Sequence, residues 1–386
     1  MTAKGNVKLN FESKIQKLQT KLDIWRSRDL TLFGKVLITK ALGISSLVYS
    51  MSNIDIPKET IPDVQSRLFR FLWNNKQDKI KRTCLYQDFE KGGVRMPDIE
   101  TINKALKLAW IPRPLKAGHF NWRTVPEYFF KKHGGLGFLL LCNYRVKDFD
   151  CLPRFYKDIL LFFSELKVLN NYNNFSDMIL FNNKDILIGG KPFLFEEWFS
   201  KGIRTIMDLL DINGNSLSFE EFKSKYSLKK TNFLHYYQVT SAIYNNLLAK
   251  AKNTKLSFGH HAKLNFDLAS FPLDDSKSIN FYKIKSKEFY WPFINKMHTN
   301  PPACPTRWIK SINPLNLSWK EIFTLGRKTC KENELREFNF KFIHRIIVTR
   351  KELFRFKIKD DGNCIYCGEA DSIVYSFINC RFTLSF

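Results

Sequence analysis

Three cysteines near the end of the chain carry the sharpest chemistry this sequence offers. Cys364 and Cys367 are spaced C-x2-C, and Cys380 follows thirteen residues later. A tight turn bearing two thiolates, closed by two later ligands, is how a short segment holds a tetrahedral zinc ion. Such a knuckle wants four protein ligands, and the cysteines supply three. Where a C-x2-C-x7-H-x4-C pattern would place an imidazole, this chain has Tyr375. A neutral phenol is a poor zinc ligand, because it would have to ionise from a reference pKa of about 10. A zinc reading therefore recruits Glu369, Asp371, a distant histidine or water as the fourth donor. The alternative is three unliganded thiols in a short tail.

Other candidate groups carry less. Glu196-Glu197 and Glu220-Glu221 are adjacent pairs, and adjacent carboxylates on a helix point about 100° apart, so solvated surface is the better reading. His260-His261 diverge for the same reason. Gly134-Gly135-Leu136-Gly137 is a glycine-rich turn, but no Lys-Ser or Lys-Thr follows it to cradle a phosphate. Cys304 stands beside Pro305 with no evident base, which reads as structural.

The elements that position the cysteines are helical. Leu335, Phe338, Phe342 and Ile346 fall at one-face helical intervals just upstream, with Arg336, Lys341, Arg345, Arg350 and Lys351 across that face. At the other end, residues 11 to 50 read as two helices. Ile15, Leu18, Leu22 and Trp25 form the first apolar face. Thr31 is a fair N-cap for the second, whose face is Leu32, Val36, Leu37, Ala41 and Ile44. Pro57 to Trp73 is a third helix, striped by Ile61, Val64, Leu68 and Leu72, and Ile99 to Ile111 is a further one. Lys91 to Asp98 holds a glycine pair before a proline, which marks a turn, and Pro112-Arg113-Pro114 is the best domain boundary. Residues 115 to 325 read less clearly: Asn170 to Asn183 looks like a loop, residues 249 to 290 are lysine-rich and partly loop-like, and Asn300 to Trp308 is a second proline boundary.

Charge gives the partner class. The 386 residues carry 62 Lys and Arg against 37 acids, a formal net charge of +25. Such an excess favours a polyanion, nucleic acid first and anionic membrane second. Residues 4 to 40 hold nine cations and three acids, whereas residues 177 to 222 reverse to eight acids and four cations, a face that should avoid phosphates. With 36 Phe and 44% hydrophobic residues the composition is globular. The start is polar, with no signal-peptide core. The longest apolar run, Val36 to Tyr49, is interrupted by Lys40, and eight scattered cysteines read as reduced thiols. These features lead us to expect an intracellular protein, nuclear or cytoplasmic and not secreted, with no membrane or small-molecule partner.

Several stretches resemble one family. "LREFNFKFIHRIIVTRKELFRFKIKDDGNCIYCGEADSIVYSFINC" resembles the cysteine-rich carboxy-terminal end of reverse transcriptases from LINE-type (non-LTR) retrotransposons, which have histidine where Tyr375 stands. "KLDIWRSRDLTLFGKVLITKALGISSLVYS" resembles the thumb of those enzymes, and "FEEWFSKGIRTIMDLL" and "SFEEFKSKYSLKKTNFLHYYQVTSAI" resemble their post-thumb region. The resemblance implies a mostly α fold in three parts: a thumb-like basic helical domain over 1–114, a helical post-thumb region with loops over 115–325, and a basic helix with a zinc-knuckle-like end over 326–386. It further implies a non-catalytic chain that grips primer–template duplex and template RNA. The Tyr-x-Asp-Asp turn with which such enzymes polymerise is absent, and neither Asp274-Asp275 nor Asp360-Asp361 substitutes for it. On this reading Arg26, Arg28, Lys35, Arg70, Lys81 and Arg82 contact backbone phosphates at the front. Lys341, His344, Arg345, Arg350 and Lys351 do so at the carboxy end, where Phe340 and Phe356 would be stacking platforms and zinc, held by Cys364, Cys367 and Cys380, the cofactor; a core histidine is the alternative for His344, and core packing the alternative for the two phenylalanines. Two alternatives stand beside it: a decayed remnant that binds nothing, and a part that supports RNA-directed DNA polymerisation only with a separate palm-bearing chain.

Overall fold

The computed structural model describes residues 3–116, 118, 120–166, 177–245, 271–274, 277–280, 282–297, 301–312 and 317–385. His260-His261, residues 170–176 of the asparagine-rich stretch and much of 249–290 lie outside these. The fold is mostly helical. In chain order the helices begin with α1 (Ala3–Arg26), α2 (Leu32–Ile38), α3 (Ser45–Asn53), α4 (Thr60–Leu72), α5 (Arg82–Tyr86) and α6 (Ile99–Leu108). They continue with α7 (Pro112–Leu115), α8 (Thr124–Lys131), α9 (Leu136–Leu141), α10 (Arg154–Leu166), α11 (Glu196–Ser200), α12 (Phe219–Tyr226) and α13 (Phe233–Ile243). A short antiparallel hairpin follows, β1 (Phe271–Asp274) and β2 (Lys277–Ile279), with Phe271 opposite Ile279. The last helices are α14 (Ser286–Met297), α15 (Cys304–Ile312), α16 (Trp319–Thr329), α17 (Asn333–Ile343) and α18 (Arg350–Arg355).

The chain forms two compact units that do not follow the expected three consecutive segments. One unit takes both ends, Met1–Asn103 and Phe293–Phe386; the other is Lys104–Pro292. Pro112, expected at a boundary, instead opens α7 at a position where its missing N–H costs nothing.

In the first unit, α1 buries Phe11, Ile15, Leu18 and Leu22, and α4 buries Val64, Leu68, Phe69, Phe71 and Leu72. Thr31 caps α2 by accepting from Gly34 N at 3.2 Å. Between α2 and α3 the helix widens into a π-turn over Thr39–Ile44. That extra residue rotates the face, so Ala41, expected inside, points outward while Gly43 and Leu47 join Ile44 inside; Leu37, ahead of the turn, is also exposed, beside the buried Val36. Leu18, Leu22 and Leu68 surround Gly43, and a Cβ added there would meet them at 3.8 to 4.0 Å, in ordinary van der Waals contact. The continuous run Leu32–Asn53 is, by length and composition alone, long and apolar enough to cross a membrane, with a mean hydropathy of 1.4.

The glycine pair is where the two ends of the chain meet. Gly92 has φ +78°, and a Cβ there would lie 2.9 Å from the Phe323 ring of α16; one on Gly93 would lie 2.0 Å from the Gln87 carbonyl oxygen. Only glycine lets the backbone pass at that distance. Phe33 of α2 meets Phe340 of α17 edge to face at 5.8 Å, and the Arg327 guanidinium of α16 lies 3.7 Å over the Phe89 ring.

The second unit packs Trp198, Phe222, Tyr236 and Val239 around Leu180, Phe181 and Ile203. Trp198 Nε1 donates to Thr231 Oγ1 at 2.7 Å, and that hydroxyl donates to Glu197 Oε2 at 2.7 Å. Glu197 also accepts the Lys229 and Lys230 backbone N–H groups. Burial works against its charge, but these donors prevail and hold it down at about 2. Glu221 forms the capping box of α12 with Ser218. Both members of the adjacent carboxylate pairs that carry hydrogen bonds are thus structural ties.

Candidate metal centre and nucleic-acid interface

The segment after α18 folds back on itself. Cys364 N donates to Glu369 O at 2.7 Å, Gly368 N donates to Cys364 O at 2.9 Å, and Gly368 takes φ +77° to close the turn. Tyr375–Asn379 is a π-turn in which Cys380 N reaches Tyr375 O at 2.8 Å. The wide turn brings Tyr375 and Cys380 to the same side, facing Cys364 and Cys367.

The sulfurs converge. Cys380 Sγ lies 3.7 Å from Cys367 Sγ and 4.0 Å from Cys364 Sγ, and all three lie within 4.8 Å of one another. A zinc ion about 2.3 Å from each sulfur sets tetrahedral edges of roughly 3.8 Å. The three cysteines could therefore hold a metal ion. Backbone N–H groups of Tyr366 and Cys367 point at Cys364 Sγ, and those of Phe382 and Thr383 at Cys380 Sγ. Burial opposes ionisation of Cys380, yet these donors and the Thr383 hydroxyl bring the thiol down to about 7. Donors already aimed at sulfur are what a thiolate ligand needs. The Tyr366 N–H favours the thiolate of Cys364 too, but burial and the neighbouring thiols leave that group above its ordinary value.

Tyr375 lies beside the cluster, its hydroxyl 3.1 Å from Cys367 Sγ. The hydrogen bond to Cys367, with burial, pushes the phenol well above its ordinary pKa, so it fits as a hydrogen-bonding lid and not as an anionic ligand. Asp371 is occupied elsewhere: it accepts Arg350 N at 2.6 Å and the Ser376 hydroxyl. Ile373, Val374 and Ile378 dock this segment on Trp308, Phe323 and Phe342, and Phe377 packs on Phe342 at 5.1 Å.

The expected phosphate contacts divide sharply. Lys35 is 7% exposed, and its ammonium donates to Asn74 Oδ1 at 2.8 Å. Burial lowers its pKa against the pull of Glu337. His344 is 5% exposed. Its Nε2 is 2.9 Å from the Gly92 carbonyl, so Nε2 carries the proton, and Nδ1 lies 3.6 Å from Cys304 Sγ. Burial drives this imidazole down to about 4 and the Cys304 thiol up to about 12. Both are core groups, which corrects the assignment of Lys35 and His344 to a phosphate-contacting surface. Phe340, packed on Phe33 and 4.3 Å from the His344 ring, is no stacking platform either.

Other cations are tied to the protein. Arg26 pairs with Asp23 at 2.8 Å, Arg82 with Asp78 at 2.7 Å and Lys341 with Glu337 at 2.7 Å. Arg350 grips Asp361 with two bonds of 2.9 and 2.8 Å. Arg345, with φ +55°, ends α17 and donates to Arg307 O and Ser311 Oγ. Arg28 is exposed with its guanidinium 4.7 Å over the Trp25 ring, and Arg70, Lys81 and Lys351 are exposed with no carboxylate partner among the described residues.

The sequence reading missed Arg307, Lys310 and Arg355. With Arg345 and Lys351 they line a trough of about 750 Å³ between α15 and α18. Arg307 and Lys310 share a helix face at i, i+3, a signal the sequence does contain, but their pairing with α18 across some forty residues is tertiary.

No protein-family model matches the chain. A stretch of 122 residues, 30% of the chain, is 26% identical to an Arabidopsis thaliana protein provisionally named a ribonuclease H protein, and it covers 19% of that protein. The match thus spans about a fifth of the length of that curated relative.

Proposed function

We propose that this chain is a non-catalytic nucleic-acid-binding module derived from a retroelement polymerase, and that it works inside the cell on RNA and DNA backbones. The reading is carried by one observation: three thiols at tetrahedral spacing, with N–H donors aimed at two of them, sit in a chain of net charge +25. A zinc ion on Cys364, Cys367 and Cys380 would supply a structural cross-link there, fixing the last turn against α17. The name of the Arabidopsis relative supports a link to nucleic acid and retroelements. The finer assignment, to the thumb, post-thumb region and cysteine-rich end of a LINE-type reverse transcriptase, rests on the sequence resemblance.

The test is polynucleotide binding by the purified full chain over a salt series, with metal content measured on the same sample. We expect one zinc per chain and an affinity for RNA that falls steeply with salt, by several log units per log unit. Binding that stays flat from low to moderate salt would overturn the reading. Tyr375 favours a second reading, a remnant without metal; a zinc-free chain that still folds and binds nothing would establish it.

A further inference from the structure

Between α15 and α18 several exposed cations share one trough without an ion pair among the described residues. Arg307, Lys310, Lys351 and Arg355 are exposed and face no carboxylate partner among the described residues. The two acids in its wall are already committed. Glu352 closes the capping box of α18 by accepting Thr349 N at 3.1 Å, and Asp371 accepts Arg350 N. Both carboxylates keep their charge, yet with Arg345 the cations outnumber them, so the concavity is net positive and favours an anion.

Its rim is aromatic. Phe354 lines the trough and is 51% exposed. Next along, Phe356 is exposed with the Arg355 guanidinium 5.1 Å over its ring. A large apolar ring left in water beside guanidinium groups suits the face of a nucleobase, whose stacking is worth roughly 1–3 kcal/mol per base. The exposed ring chooses between strands. A single strand has unpaired bases free to stack on such a ring, whereas the bases of a duplex are already stacked on one another.

We infer that the α15–α18 trough is a binding site for single-stranded nucleic acid, with Arg307, Lys310, Lys351 and Arg355 on the phosphates and Phe354 under a base. This rests on the nucleic-acid reading proposed above and deepens it, by naming the strand form and the residues. Arg345, which also lines the trough, is a positioning residue: its bonds to Arg307 O and Ser311 Oγ fix the wall from which Arg307 projects.

Fluorescence anisotropy tests this with the full chain and three probes: an oligouridylate about twelve nucleotides long, an RNA duplex of equal length, and phosphatidylserine vesicles. Wild type should bind the single strand most tightly. The variant Arg307→Gln/Lys310→Gln/Arg355→Gln should lose affinity for it and flatten the log–log salt slope by about 2, at about 0.7 per phosphate contact on a single strand. Phe354→Ala should weaken single-strand binding roughly tenfold while sparing the duplex. The control Lys132→Gln/Lys191→Gln/Lys201→Gln, which removes as many charges elsewhere, should leave the slope as it was. Thermal melts of each variant confirm folding, since none of the substituted side chains is buried. A wild type that binds nucleic acid steeply with salt, beside a trough variant with an unaltered slope, overturns the trough and leaves the general reading standing. Preference for duplex or for vesicles also overturns it, and a wild type that binds no nucleic acid overturns both.

Discussion

Two basic regions of the same unit use their positive charge differently. In the amino-terminal helices α1 to α5, Arg26 and Arg82 are paired with Asp23 and Asp78, and Lys35 is spent on Asn74 inside the core. Arg28, Arg70 and Lys81 remain outside, but on separate elements. Between α15 and α18, four cations share one concavity whose acids are engaged by the backbone. Net charge counts both regions alike, and the number of lysines and arginines along a helix says little about how many can meet a phosphate. What decides is whether a carboxylate three or four residues away is free to pair, as it is for Arg26, Arg82 and Lys341; Glu352, three residues before Arg355, is instead taken by the Thr349 N–H.

The largest expected effect lies where the two regions meet. His344 joins them through Gly92, and its folded-state pKa near 4 stands below the unfolded value near 6.5. The folded chain therefore refuses a proton that the unfolded chain binds. This contribution is complete above pH 6.5 and is lost as pH falls towards 4, for a cost of about 3 kcal/mol. Urea unfolding at pH 7.5 and 4.5 should show that loss in wild type and a much smaller one in His344→Gln. Equal losses in both would place the acid sensitivity elsewhere and break the joint.

A smaller effect sharpens the role of the cysteine end. Tyr375→His puts an imidazole where the phenol hydroxyl now lies 3.1 Å from Cys367 Sγ. Zinc affinity, read by competition with a chelating dye, should rise by roughly tenfold or more. Unchanged affinity would mean that the fourth corner belongs to a donor other than residue 375.

Much of this was legible in the sequence where the signal is local. The stripes of α1 and α4, the Thr31 cap and the C-x2-C turn follow from period and residue type, and they stand in the fold. Register failed where the helix is not α: the π-turn at Thr39–Ile44 turned Ala41 outward, a shift no 3.6-residue pattern anticipates. The stripe Leu335, Phe338, Phe342, Ile346 failed for a different reason. Helix α17 lies between two partners, with Phe342 towards Phe377 and Phe340 towards Phe33, so it is apolar on two sides. Arg345 in the left-handed region then ends it before Ile346. His344, Lys35 and the α15 cations were misread or missed because their partners are long-range: Gly92, Asn74 and α18 are joined to them only by folding.

The most direct test of the contrast is the salt dependence of oligouridylate binding in two triple variants measured side by side. The account predicts that Arg26→Gln/Lys35→Met/Arg82→Gln keeps the wild-type slope, whereas Lys310→Gln/Lys351→Gln/Arg355→Gln lowers it by about 2. A slope lost in the first and kept in the second would contradict it.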